Sequence, residues 1–100
     1  MRRADVIVIV EQLELSLREQ GVSAIYLFGS VARETQDDFS DVDLAFDLAP
    51  SAIEHFSLID QSRIQRQLVE ALGTKVDLIE RAYIRPQVSH HAERDMTLIF

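Results

Sequence analysis

Apolar and polar positions alternate with period two over residues 41–48. One face of this segment carries Val42, Leu44, Phe46 and Leu48, and the other carries Asp41, Asp43, Ala45 and Asp47. Such alternation predicts a strand with one buried face. Pro50 follows the segment and marks the end of the strand.

Two further segments have the pattern of strands. The apolar run over residues 23–28, closed by Gly29, predicts a strand buried on both faces, with Tyr26 and Phe28 in the core. Residues 74–80 predict another strand through Val76, Leu78 and Ile79. The segment 97–100 is expected to end the chain in an extended conformation.

Helical spacing appears between these strands. Val6, Val10, Leu13 and Leu17 form a stripe that predicts a helix over residues 4–20, although residues 6–10 are all β-branched. Ser51 and Glu54 have the spacing of a capping box, which predicts a helix from there to Gly73, with an alternative break around residues 57–62. Short helical turns over residues 31–35, a loop over 36–40 and a last helix from Pro86 complete the pattern.

The order of these elements predicts an α/β (α+β) fold, a small mixed sheet of three to four strands packed with helices. The chain has 100 residues, of which 47% are hydrophobic, so we expect a single domain over residues 1–100. No apolar run reaches the ~20 residues of a membrane span, and no cysteine is present for a disulfide. A cytoplasmic protein fits this composition.

The net charge of −7 argues against a direct interaction with nucleic acid. Nonspecific binding to DNA or RNA depends on lysine and arginine side chains that neutralise phosphates, and here the ten basic residues are scattered. Nucleotide triphosphates remain compatible with this charge, because a divalent cation can bridge acidic side chains to phosphates.

Two carboxylates interrupt the apolar strand pattern. Asp41 and Asp43 fall on one strand face, roughly 6–7 Å apart at their Cα atoms. Their charges repel unless a cation lies between them, and a pair of divalent ions would suit them. An Asp-x-Asp pair alone is more often a solvated strand face.

Gly29 and Ser30 lie where the strand over 23–28 meets the following helical turn. Glycine permits a sharp turn, and free N–H groups at a helix start, together with the Ser30 hydroxyl, can hold phosphate oxygens. Arg33 adds a charged donor one turn later. A nucleotide could then place its phosphates on this turn and its reacting phosphorus at the carboxylates.

The motif Gly29-Ser30, ten residues, Asp41-Val42-Asp43 resembles the signature of the polymerase β-type nucleotidyltransferase superfamily, and most closely that of minimal nucleotidyltransferases (MNT). The resemblance implies that Asp77 is a third carboxylate, and that Asp41, Asp43 and Asp77 are catalytic and bind two Mg²⁺ ions. It also implies that Gly29, Ser30 and Arg33 bind ATP. Glu34 departs from the glycine that relatives often carry there.

The resemblance further implies an antitoxin that transfers AMP from ATP to a tyrosine of a partner HEPN-domain ribonuclease toxin. Two alternatives stay open: a binding module that neutralises the toxin by covering it, and a transferase for a small acceptor. The residues 53–59 and 96–100 could offer apolar surface to a partner, but packing in the core explains them equally well.

Other polar residues rank lower as site candidates. Asp47 is expected to be a solvated strand end, and Lys75 a surface lysine that shares a strand face with Asp77. Asp37 and Asp38 are interpreted as loop residues. The histidines His55, His90 and His91 are expected at the surface or partly buried.

Overall fold

The computed structural model describes residues 1–32, 41–84 and 96–100. Its helices are α1 (Arg3–Glu11), α2 (Glu14–Glu19), α3 (Gly29–Ala32) and α4 (Leu58–Leu72). Its strands are β1 (Val22–Phe28), β2 (Val42–Leu48), β3 (Val76–Glu80) and β4 (Thr97–Leu98). Two 3₁₀ turns lie at Pro50–Ala52 and Arg81–Tyr83.

The strands form one mixed sheet in the order β3-β2-β1-β4. The pairs β1–β2 and β1–β4 are antiparallel, whereas β2 and β3 are parallel and are joined by the crossover that contains α4. This architecture confirms the predicted α/β fold. The described sheet has four strands, the larger of the two predicted numbers. The predicted last helix from Pro86 lies outside the described residues.

The helices cover one face of the sheet. Ile64 and Leu68 of α4 and Val6 and Val10 of α1 belong to the same buried cluster as the inward side chains of the strands, which are Ile25, Leu27, Val42, Leu44, Phe46, Val76 and Leu78. The predicted apolar face of β2 is therefore the core face. The opposite face of the sheet carries Asp43, and it is there that the candidate chemistry lies.

The strand β1 is not buried on both faces as predicted. Ile25 and Leu27 are fully buried, but Tyr26 and Phe28 point to the opposite face and are only half-buried. A short apolar run cannot reveal this difference, because aromatic side chains pack well on a half-exposed sheet surface.

The predicted helix over residues 4–20 is interrupted. At the junction of α1 and α2, the amide of Leu13 donates to the carbonyl of Val10 (2.9 Å), an i→i−3 bond that tightens the chain. Val6, Val10 and Leu17 are all fully buried on the two sides of this turn. The apolar stripe was therefore predicted correctly, but the continuity of the helix was not.

The start of α4 also differs from the prediction. The capping box is formed by Ser57 and Asp60, not by Ser51 and Glu54: the Ser57 hydroxyl accepts from the Asp60 amide, and the Asp60 carboxylate accepts from the Ser57 amide (2.9 Å). This backbone hydrogen bond lowers the pKa of Asp60. The helix ends at Gly73, whose φ of 70° is the left-handed conformation that glycine adopts easily.

Within the parts of the chain that are described, no helix is long and apolar enough to cross a membrane.

Candidate functional site

The backbone register of the sheet aligns the predicted carboxylates. Asp43 of β2 and Asp77 of β3 are direct neighbours in the parallel pair, and Phe28 of β1 is the antiparallel neighbour of Asp43. Side chains directly opposite one another on adjacent strands point to the same face of a sheet. Asp43 and Asp77 therefore share the face that is not covered by α1 and α4.

Asp41 lies immediately before β2, beside the start of β3. The amide of Val42 donates to the carbonyl of Lys75 (3.1 Å), which fixes the two chain segments next to each other. The Nζ of Lys75 lies 3.7 Å from an oxygen of Asp41, with 73% of the lysine side chain and 37% of the aspartate side chain exposed. Lys75 is the surface lysine that was expected, and it also contacts one of the candidate carboxylates.

Gly29 is held close to the carboxylate of Asp43. The residue follows β1 directly and has a φ of 77°. A Cβ atom built at this position would overlap the carboxylate oxygen of Asp43 and would lie 3.1 Å from its Cγ. Both the backbone conformation and the close approach therefore require glycine, and they fix the position of the Asp43 side chain against the turn.

The donor set has the chemistry of a magnesium site. Carboxylate oxygens are the hard ligands that Mg²⁺ prefers. Asp43 and Asp77 are neighbours on one face of the β2–β3 pair, and Asp41 lies two residues before Asp43. Among residues 1–32, 41–84 and 96–100, however, no three acidic or histidine side chains are arranged as a ready metal-binding group. The strand register aligns Asp43 with Asp77, and Asp41 lies directly before β2.

Asp47, at the other end of the same face of β2, is not the solvated strand end that the sequence suggested. It accepts hydrogen bonds from the Tyr26 hydroxyl (2.9 Å) and from Nε of Arg81 (2.9 Å). The Arg81 guanidinium also lies over the Tyr26 ring, 5.0 Å from its centroid. Burial raises the pKa of Tyr26, and the hydrogen bond to Asp47 raises it further.

The remaining predicted residues fall in three groups. Ser30 lies in α3, directly after Gly29. His55 is exposed, as expected for a surface histidine. The residues that lie outside the described ranges are Arg33, Glu34, Asp37, Asp38, His90 and His91.

The sequence profile of the family described as polymerase beta, nucleotidyltransferase matches residues 11–100 of this chain. A protein of Methanocaldococcus jannaschii, provisionally named protein adenylyltransferase MJ1217, is 38% identical over 79 residues, which are 78% of this chain and 76% of that protein.

Solved structures share the fold. A structure provisionally named a minimal nucleotidyltransferase superposes with a TM-score of 0.77 and 26% identity, over 97% of this chain and 95% of that one. A chain of the complex between tri-AMPylated Shewanella oneidensis HEPN toxin and MNT antitoxin matches with a TM-score of 0.63 and 22% identity, over 90% of this chain and 68% of that one.

Proposed function

The chain belongs to the polymerase beta nucleotidyltransferase family, and we propose that it is an antitoxin that transfers AMP from ATP to a tyrosine of a partner HEPN-domain toxin. The observation that carries this proposal is the alignment of Asp43 with Asp77 beside the glycine turn at Gly29. Relatives provisionally named protein adenylyltransferases and a neighbour solved in complex with a tri-AMPylated HEPN toxin support the choice of acceptor.

In this proposal, Asp41, Asp43 and Asp77 would hold two Mg²⁺ ions, which when bound would draw electron density from the phosphoryl oxygens of ATP. The protein's own contribution is positioning. The backbone amides of Gly29 and Ser30, with Arg33 beyond them, would hold the triphosphate so that the α-phosphorus faces the carboxylates.

The reaction is a displacement at the α-phosphorus. The tyrosine oxygen of the toxin forms a bond to this phosphorus, the bond to the oxygen bridging to the β-phosphate breaks, and pyrophosphate leaves. Asp77 is exposed on the strand at the edge of the described sheet, so it is the carboxylate that an incoming hydroxyl group would meet. We assign Asp77 the role of accepting the proton of that hydroxyl.

The experiment is intact-mass spectrometry of the cognate HEPN-domain toxin after incubation with this chain, ATP and Mg²⁺. We expect a gain of one or more AMP groups, about 329 Da each. The double variant Asp41→Asn/Asp43→Asn is the matched control and should give no gain. Neutralisation of the toxin by both proteins without any gain in mass would instead make the chain a binding module.

A further inference from the structure

A cleft of ≈ 540 Å³ lies between the start of α4 and the end of β3. Its floor is apolar and includes Leu48, Phe56 and Leu78. Its rim carries four large apolar side chains that are exposed to solvent: Ile53 (60%), Leu58 (81%), Ile79 (39%) and Tyr83 (79%). We refer to this feature as the apolar cleft.

The rim side chains are exposed because rigid elements hold them there. Leu58 is the first residue of α4, where the capping box of Ser57 fixes the direction of the helix. Tyr83 is held by the 3₁₀ turn that the contact between Arg81 and Asp47 ties to the sheet. A contiguous group of exposed apolar side chains around a concave surface is typical of a protein interface.

The apolar cleft is continuous with the candidate active site. Ile79 and Asp77 are two residues apart on β3 and point to the same face, so their Cα atoms lie roughly 6–7 Å apart. β3 is the outer strand of the described sheet on this side. The floor residue Leu78 points to the core face, whereas Ile79 on the rim points to the face of Asp77. A protein that is seated in the cleft and covers Ile79 therefore reaches the sheet face that carries Asp77.

The cleft lining includes the polar residues Ser57, Gln61 and Glu80, and Glu80, which is charged, indicates the charge of the occupant. Glu80 lines the cleft, and burial, with the nearby charge of Asp47, raises the pKa of its carboxyl group. Within the described ranges, no lysine, arginine or histidine forms a salt bridge with Glu80. A lysine or arginine from a partner would supply the missing counter-charge, whereas a second copy of this chain, with its net charge of −7, would bring further negative charge.

We infer that the apolar cleft is the docking site of the acceptor protein, which inserts an apolar side chain between Leu58 and Tyr83 and places a lysine or arginine against Glu80. The seated protein then presents its hydroxyl group to Asp77. The identity of the occupant as an acceptor rests on the proposed function, but its binding does not require catalysis. The cleft would supply the acceptor-binding region, and one of its walls comes from residues 53–59, the segment predicted as a possible apolar surface for a partner.

The test is the affinity of the chain for the cognate HEPN-domain toxin, measured by isothermal titration calorimetry without ATP. We expect Leu58→Glu to weaken binding by at least about tenfold, because it places a charge in the centre of an apolar contact. Leu15→Glu is the matched control, since Leu15 is an equally exposed leucine (74%) in the first turn of α2 and lies outside the cleft. It should bind as the wild type does.

The role of the Glu80 charge is tested with a separate pair of variants. Glu80→Lys should weaken binding about tenfold or more, and the effect should shrink as salt is raised, because it replaces an attraction by a repulsion. Glu70→Lys, an equal charge change at an exposed position of α4, is its control and should have little effect.

The outcomes separate docking from chemistry. If the wild type transfers AMP but Leu58→Glu binds the toxin normally, the docking site is wrong and the proposed function stands. If Leu58→Glu loses binding while the wild type transfers no AMP, the docking site stands and the proposed function is wrong. If the isolated chain sediments as a dimer and Leu58→Glu makes it a monomer, the occupant is a second copy and the inference is overturned.

Discussion

Asp41 and Asp47 lie at opposite ends of β2, and their carboxylates differ in the contacts that they make. Asp47 is held by two short hydrogen bonds, from Arg81 and Tyr26 (2.9 Å each), and 24% of its side chain is exposed. Asp41 has a long contact of 3.7 Å to Lys75, a side chain that is itself 73% exposed.

The difference separates a carboxylate that stabilises the fold from one that is available for chemistry. A carboxylate that is hydrogen-bonded to an arginine and a tyrosine is satisfied, and removing either partner is costly. An exposed lysine contact contributes little and is easily exchanged for another cation. Under the proposed function, we therefore expect a metal ion to displace the lysine at the Asp41 end of the strand.

The largest effect is expected for Asp77→Asn. We expect the rate of AMP transfer to fall by about 10³-fold, because the variant removes both a ligand and the group assigned to take the acceptor's proton. Since Asp77 is exposed, the free energy of unfolding should not change, and denaturant unfolding checks this. Retention of the wild-type rate would show that the edge strand takes no part in the chemistry.

Gly29→Ala and Gly73→Ala form the next pair. Both glycines have a positive φ, so each alanine should cost roughly 1–2 kcal/mol of stability. Only at Gly29 does the new Cβ also displace the Asp43 carboxylate, since nothing lies within 4 Å of the corresponding atom at Gly73. We therefore expect the rate of AMP transfer to fall about 10²-fold in Gly29→Ala and to stay near the wild-type rate in Gly73→Ala. Equal rates in the two variants would contradict the proposed role of the glycine turn.

Asp47→Asn should show the reverse behaviour. We expect a loss of about 1–3 kcal/mol in the free energy of unfolding, because the charged partner of Arg81 is removed. The rate of transfer measured below the unfolding transition should stay within about threefold of the wild type. Asp5→Asn, an exposed position in the first turn of α1, controls for the loss of one negative charge and should cost less than about 1 kcal/mol, the contribution of a charge at a helix N-terminus.

Lys75→Met is expected to have the smallest effect. The exposed pair with Asp41 contributes at most about 1 kcal/mol, so stability should hardly change. Removing the competing positive charge should raise the affinity for Mn²⁺ by up to about fivefold. The affinity is measured from the electron paramagnetic resonance signal of unbound Mn²⁺. Arg66→Met, an exposed position of α4, should not alter Mn²⁺ binding. A weaker affinity in Lys75→Met would mean that the lysine supports the site.

The strand positions of the candidate site could be predicted from the sequence, because the period-two pattern of residues 41–48 fixes which side chains share a face. The start of α4 was misplaced because Ser51 with Glu54 and Ser57 with Asp60 have the same capping spacing. Only the second box forms, and Ser51 lies inside the 3₁₀ turn Pro50–Ala52.

The role of Asp47 was missed for a different reason. Its partner Arg81 is 34 residues away, and the contact depends on the parallel register of β2 and β3 and on the turn that follows β3. No local pattern encodes such a contact. The apolar cleft was anticipated only in part: residues 53–59 were predicted as a possible partner surface, but the wall formed by β3 and the turn after it comes from a distant segment of the chain.

The most direct test of the account compares single-turnover rates of AMP transfer to the cognate toxin for Asp41→Asn, Asp43→Asn and Asp47→Asn. The three variants change the same chemical group on one strand. We expect the rates of the first two to fall by up to about 10³-fold, no further than that of Asp77→Asn, and the rate of Asp47→Asn to remain within about threefold of the wild type. Equal losses in all three, or a normal rate in Asp43→Asn, would contradict the assignment of the catalytic end of the sheet.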